Sequence, residues 1–195
     1  MNSKLHSMKL RIKLNGIKPE IWRSVVVEDS LTLQDLHNVI QAAMGWGNCH
    51  MYEFEIAGIR YGIPDDDGFD EHEIENAKKV KLSKLKLTEK EKFEYIYDFG
   101  DDWNHTIKIE KILPGESPYD GPFCIEGARN CPPEDCGSIP GYEDIVEAMK
   151  NTKSKKAKEF IDWLGEPYDA EHFDIEEINT RLKHALPKKK KGGLR

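Results

Sequence analysis

The feature that most constrains the fold is a glycine-containing turn between two runs of alternating apolar and polar residues. The runs cover residues 93–99 and 103–112, and Gly100 and Asp101 lie between them. A two-residue loop with glycine first is typical of a type II′ β-hairpin. The pattern therefore predicts an antiparallel strand pair in which Asp98 faces Trp103 and Ile96 faces His105.

In that register the carboxylate of Asp98 lies diagonal to the imidazole of His105 on one face of the hairpin. An aspartate held near a histidine serves general-base catalysis, metal binding and purely structural hydrogen bonding. Asp101 and Asp102 either join such a site or accept hydrogen bonds from turn amides. A register slip of one residue would put Asp98 and His105 on opposite faces.

The remaining patterns predict an α+β fold. Alternation over residues 8–14 and the β-branched run 21–27 predict a first hairpin, and residues 52–56 and 60–61 predict a second. Thr32 and Asp35 predict a capping box that starts a helix between these hairpins. Helical periodicity returns after residue 141. We expect an antiparallel sheet built from three hairpins, one helix between the first two, and a C-terminal helical cluster.

Length and charge predict a single domain over residues 1–187, followed by a basic flexible tail at 188–195. Residues 64–75 hold seven acidic residues and no lysine or arginine. Both segments are typical of solvated chain, with a cation site in the acidic segment or a phosphate contact in the tail as alternatives.

The composition also bears on location and partners. No apolar run approaches the roughly 18 residues that span a bilayer, and the N-terminus lacks the apolar core of a signal peptide. We therefore expect a cytoplasmic protein with no membrane partner. The net charge of −7 disfavours nonspecific nucleic-acid binding by the whole surface.

Further candidate ligands are histidines and cysteines. His37 and His50 share the apolar faces of their predicted elements, which favours hydrogen-bonded core histidines, or a site shared with His105. Cys124, Cys131 and Cys136 have spacings that match a zinc site in part, with Cys49 or a histidine as fourth ligand. The alternative is a rigid loop with buried thiols.

Several motifs occur in the order expected of one family. They are Gly16-Ile17-Lys18-Pro19-Glu20-Ile21-Trp22-Arg23, Leu33-Gln34-Asp35-Leu36-His37, Gln41-Ala42-Ala43-Met44-Gly45-Trp46, Tyr97-Asp98-Phe99-Gly100-Asp101-Asp102-Trp103-Asn104-His105, Cys131-Pro132-Pro133-Glu134-Asp135-Cys136-Gly137 and Asp162-Trp163-Leu164-Gly165. Over residues 8–185 the chain resembles the Ri-plasmid open-reading-frame-three-like family. The resemblance implies a prokaryotic protein without an established biochemical activity. It also implies relatives whose labels are tied to transposable elements or resolvases.

The leading functional hypothesis is a noncatalytic binding or accessory module linked to mobile genetic elements, because no recognised catalytic or phosphate-binding motif occurs. Trp22, Arg23, Trp46 and Trp103 would then line a groove for a protein or nucleic-acid partner.

Two alternatives use metal ions. The first is a metal-dependent hydrolase, acting for instance on phosphodiesters, in which Asp98, Asp101, Asp102 and His105, with His37 or His50, hold divalent ions that activate water. The second is a zinc-stabilised interaction domain built on the cysteines.

Overall fold

The computed structural model describes residues 6–64, 74–115 and 117–187. The predicted basic tail at 188–195 and most of the acidic segment, residues 65–73, lie outside the described residues. The observed fold is α+β, with four helices and an eight-stranded sheet in the described chain.

The strands and helices alternate unevenly along the chain. The strands are β1 (His6–Leu14), β2 (Ile21–Glu28), β3 (Tyr52–Ile56), β4 (Ile59–Gly62), β5 (Glu75–Asn76), β6 (Lys92–Tyr97), β7 (Trp103–Pro114) and β8 (Phe123–Ala128). The α-helices are α1 (Leu33–Met44), α2 (Ser138–Met149), α3 (Lys155–Leu164) and α4 (Ile175–Leu182). In the described part of the chain, no helix is both long and apolar enough to span a bilayer.

The sheet has the strand order β5-β4-β3-β6-β7-β1-β2-β8. Only the contact between β4 and β5 is parallel among the described strands. The three predicted strand pairs are present, but the sheet is not built from them alone. Strand β8 lies in the proline-, glycine- and cysteine-rich stretch of residues 114–140, where no periodicity predicts a strand, and among the described strands it pairs only with β2 at the sheet edge. The strand is only six residues long, and the proline and glycine residues on both sides of it are typical of loops.

Helix α1 covers the centre of the sheet. Thr32 and Asp35 form the predicted capping box, and Gly45 ends the helix in the left-handed conformation with φ of 96°. Its apolar stripe, which includes Leu33, Leu36 and Ile40, is fully buried. Burial of large aliphatic side chains at about 1.5–3 kcal/mol each is what holds this helix on the sheet.

The β6–β7 register differs by one residue from the prediction. Tyr97 pairs with Trp103 and Tyr95 with His105, so the connecting loop has five residues, 98–102. A one-residue slip moves every side chain to the other face. The predicted register would have buried Glu94 and exposed Tyr95, whereas the observed one buries Tyr95 completely. Asp98 and Asp102 adopt the left-handed conformation (φ 58° and 56°), which aspartate tolerates, so the turn does not use Gly100 as a type II′ turn would.

Arg23 joins three parts of the fold from inside the protein. It is 2% exposed, and its guanidinium donates hydrogen bonds to the carbonyl oxygens of Ala43, Trp22, Ala128 and Arg129. The Ala43 carbonyl belongs to the last turn of α1, where backbone oxygens lack helical partners and favour a cation. Arg23 therefore links α1 to β8 and to the chain that follows β8.

We predict that Arg23→Met lowers the free energy of unfolding by at least about 3 kcal/mol, because four carbonyl oxygens lose a charged donor in the interior. Arg11→Met is the matched control. Arg11 lies on the open face of the same sheet, half-buried over the ring of Trp22 and beside Glu20, so its loss should cost about 1 kcal/mol or less. Urea denaturation followed by far-UV circular dichroism measures both. Equal losses would contradict the role given to Arg23.

Candidate functional site

Three loops meet at one edge of the molecule and are tied together by hydrogen bonds. The β6–β7 loop is tied to the residues before β3 because the Asp98 amide donates to the Met51 carbonyl over 2.9 Å. The loop between β8 and α2 is tied to the end of α1 because the Gly47 amide donates to Glu134 Oε1 over 2.7 Å. Asp101 Oδ2 accepts from the Gly137 amide over 3.1 Å, which joins the hairpin to the start of α2.

These ties bring a histidine and three carboxylates together. His50 Nε2 lies 3.0 Å from Asp135 Oδ1, 3.6 Å from Asp98 Oδ2 and 3.9 Å from Glu134 Oε2. Within residues 6–64, 74–115 and 117–187, His50, Asp98 and Asp135 are the one group of three or more such side chains whose ligand atoms lie within 4.8 Å of one another. We call His50, Asp98, Glu134 and Asp135 the acidic–histidine cluster.

The cluster is partly preorganised. Asp98 is 7% exposed, and its Oδ1 accepts from the Gly100 amide over 2.9 Å, which leaves Oδ2 directed towards His50. Glu134 is fixed by the Gly47 amide and by the Tyr97 hydroxyl, which donates to it over 3.0 Å. The His50 Nε2 atom is buried, and none of its contacts has the geometry of a hydrogen bond.

This donor set fits a divalent cation. Ligand atoms about 2.1 Å from one ion lie about 3–4 Å from each other, as the contacts of His50 Nε2 do. Imidazole nitrogen with carboxylate oxygen suits ions such as Zn²⁺ and Mn²⁺. Asp135 is the exposed member, so the cluster opens to solvent on its side.

Comparison with known proteins agrees with the resemblance drawn from the motifs. A model of the plasmid pRiA4b ORF-3-like proteins matches residues 6–177. The chain belongs to this family. A relative described as the uncharacterised protein y4hQ of Sinorhizobium fredii is 36% identical over 176 residues, which are 90% of each chain.

One solved structure similar to this chain is that of a protein of unknown function, MM3350, from Methanosarcina mazei Go1. It shares 35% sequence identity with this chain and superposes with a TM-score of 0.79, covering 91% of this chain and 98% of that one. These relatives are described without an activity.

The predicted hairpin site is only partly assembled. Asp98 joins His50 instead of His105, because the register places His105 beneath α1 with 0% exposure. Asp102 is exposed outside the cluster. Asp101 serves as a tie between loops. The predicted convergence of Asp98, Asp101, Asp102 and His105 is therefore wrong.

His37 and His105 are buried and hydrogen-bonded in the core. His37 Nε2 donates to Asn48 Oδ1 over 2.6 Å, which leaves Nδ1 to accept from the Tyr95 hydroxyl over 2.8 Å. His105 Nδ1 donates to the Trp103 carbonyl over 2.8 Å. Burial lowers the pKa of each imidazole to about 4. Neither is a ligand of the cluster.

The predicted binding groove does not exist as such. Trp46 and Trp103 are buried, and Trp46 Nε1 donates to the Pro132 carbonyl over 2.9 Å. Arg23 is buried in the contacts described above. Trp22 is half-buried on the opposite face of the sheet, beneath the guanidinium of Arg11. These four residues therefore do not line a common surface.

The cysteines do not converge either. Cys131 contacts Met44 and Arg23 in the core, and Cys124 Sγ donates to the Glu126 carbonyl. Burial, followed by the nearby carboxylate of Asp101, raises the pKa of Cys136 to about 12. None of the cysteines belongs to a group of converging ligands in the described chain. Cys124 and Cys131 are buried, as in the buried-thiol alternative, and Cys136 is half-buried.

Sequence reasoning missed Glu134 and Asp135. Both lie inside the motif Cys131-Pro132-Pro133-Glu134-Asp135-Cys136-Gly137, whose cysteines are the more familiar metal ligands. The available signal was a pair of acids in a loop stiffened by two prolines and followed by glycine. Their partner could not be identified, because His50 lies 84 residues earlier.

We predict that acid weakens the fold through these histidines. In the unfolded chain a histidine has a pKa near 6.5, so between about pH 6.5 and pH 4 the unfolded chain binds more protons than the folded one. The stabilisation is complete above pH 6.5 and falls as the pH drops towards 4. From about pH 7.5 to about pH 5 each buried histidine should account for a loss of about 2 kcal/mol.

His105→Asn tests this, because the asparagine amide can donate to the Trp103 carbonyl but does not titrate. Its free energy of unfolding, measured in urea at both pH values, should fall by about 2 kcal/mol less than that of the parent chain. An unchanged pH dependence in His105→Asn would refute the assignment.

Proposed function

We propose that this protein is a divalent-cation-binding module, with His50, Asp98 and Asp135 as ligands and Glu134 beside them. The observation that supports the proposal most directly is the approach of side chains from three separate loops to within 4.8 Å of one another. Like charges brought together without a cation repel, and a buried Nε2 atom without a hydrogen bond costs free energy. A bound cation would remove both costs.

The leading form of the proposal is noncatalytic. The described relatives carry no activity in their names, and the plasmid-derived family name supports a link to mobile genetic elements. In this form the cation holds the three loops in one geometry for a partner to recognise. The buried Trp46, Trp103 and Arg23 would support those loops from below instead of contacting the partner.

A hydrolytic form is the second candidate, with a ligand set different from the hairpin set expected from sequence. Three protein ligands leave coordination positions open, which is typical of catalytic metal sites. Asp135 is 68% exposed at its side chain, so these positions would face solvent. Glu134, held by the Gly47 amide and the Tyr97 hydroxyl, would lie beside such an ion and would serve as a general base there.

We expect the purified chain, freed of metal by chelator, to bind one Mn²⁺ or Zn²⁺ ion per molecule in isothermal titration calorimetry. Asp98→Asn should weaken the affinity at least tenfold, because it removes a charged ligand while keeping an acceptor for the Gly100 amide. Bound cation should also raise the melting temperature, since it binds only the folded chain.

Asp102→Asn is the matched control. Asp102 lies in the same loop with nearly the same φ, 56° against 58°, but outside the cluster. The Asp102→Asn variant should bind the cation with the same affinity as the parent chain. Equal affinities for the parent chain and Asp98→Asn, or equal losses in both variants, would refute the proposed ligand set.

A further inference from the structure

A cleft adjoins the acidic–histidine cluster and shares His50 with it. Its lining residues come from α1, from the segment before β3 and from the end of β4: they are Gln34, His37, Asn48, Cys49, His50, Met51, Tyr52 and Ile63. We call this the β3 cleft. Because His50 belongs to both, a molecule in the cleft would lie next to a cation held by the cluster.

We propose that the β3 cleft binds an uncharged, partly apolar molecule that reaches the cation through a carbonyl or hydroxyl oxygen. This inference rests on the proposed cation site and names the class of ligand that such a site would accept. It differs from the phosphodiester class expected from the sequence.

The charge of the site argues for a neutral ligand. Asp98, Glu134 and Asp135 carry a formal charge of −3, which a divalent ion reduces only to −1. The described residues that line the β3 cleft include no lysine or arginine. A phosphate group would therefore meet net negative charge with no cationic side chain among those residues, which is unlike phosphate sites built on arginine or lysine.

His37, a buried residue that lines the β3 cleft, adds no positive charge to the site. His37 is stacked on Tyr52 with ring centroids 3.7 Å apart. Burial lowers the pKa of His37 to about 4, so its ring is neutral near pH 7. The floor of the cleft is thus an uncharged, planar stack of two rings.

The rim of the cleft supplies apolar contact and a hydrogen-bond donor. Met51 is 46% exposed and Ile63 is 39% exposed, so both offer apolar area to a ligand in the cleft. Phe99, 56% exposed, follows Asp98, whose amide is bonded to the Met51 carbonyl. The Oδ1 atom of Asn48 accepts from His37, which leaves its Nδ2 group to donate to a ligand oxygen.

Each part of the proposed ligand has a counterpart on the protein. Apolar area can pack against Met51 and Ile63, and a carbonyl or hydroxyl oxygen can coordinate the ion and accept from Asn48. Apolar contact area combined with a few convergent polar groups is the usual arrangement in a small-molecule site. An oxygen of the ligand would occupy a coordination position that the three protein ligands leave open.

The test uses two probes that share a phenyl ring and differ in charge, acetanilide and phenyl phosphate, at millimolar concentration. The chain is loaded with less than one equivalent of Mn²⁺, so that all of the ion is bound. Paramagnetic broadening of the phenyl proton resonances reports binding beside the ion. We expect acetanilide to be broadened at least threefold more than phenyl phosphate at equal concentration.

Ile63→Ala and Ile59→Ala form the matched pair of variants. Both isoleucines are exposed near the ends of β4, but only Ile63 lines the cleft. Ile63→Ala should reduce the broadening of acetanilide at least threefold, whereas Ile59→Ala should leave it unchanged.

The outcomes separate this inference from the cation site itself. Mn²⁺ bound without broadening of acetanilide, or with stronger broadening of phenyl phosphate, overturns the inference and leaves the cation site standing. Equal effects of Ile63→Ala and Ile59→Ala would show that acetanilide binds elsewhere. A chain that binds no Mn²⁺ overturns the cation site and this inference with it.

Discussion

The arrangement of the whole edge depends on one row of aromatic side chains across the sheet. Tyr52 of β3 pairs with Tyr97 of β6, which pairs with Trp103 of β7, and all three are buried beneath α1. Trp46, just beyond α1, stacks on Tyr97 with centroids 5.1 Å apart. Large aromatic rings bury more apolar area than the side chains on the other face of the same strands would. This row therefore decides which face of each strand points inward.

The row also determines where the polar groups can lie. Once Tyr97 and Trp103 face the core, residues 98–102 must form the loop, and Asp98 reaches the surface edge where His50 lies. Tyr97 keeps its hydroxyl at this edge, where it accepts from the Cys49 amide and donates to Glu134. The ring of Tyr97 thus belongs to the aromatic core, and its hydroxyl holds a residue of the acidic–histidine cluster. Arg23 completes the support by holding the chain after β8 against α1.

Local patterns were enough to predict much of the fold. The capping box of Thr32 and the alternation of β1 depend on neighbouring residues, and the structure confirms both. The β6–β7 register was wrong because two-residue and five-residue turns both fit the local sequence. The choice between them depends on burial of Tyr95 and Tyr97, which is decided by α1. Strand β8 was missed because an edge strand needs only one partner and little periodicity.

The sequence by itself determined the α+β class, the family and two of the four residues of the candidate site, Asp98 and His50. Only the tertiary structure decided which of them meet. Asp98, His50 and Asp135 come from three loops whose approach depends on hydrogen bonds between distant residues, such as Asp101 with Gly137 and Gly47 with Glu134. Side-chain chemistry is a local property and can be read from sequence. Convergence of side chains depends on how the loops pack, and that is a property of the folded chain.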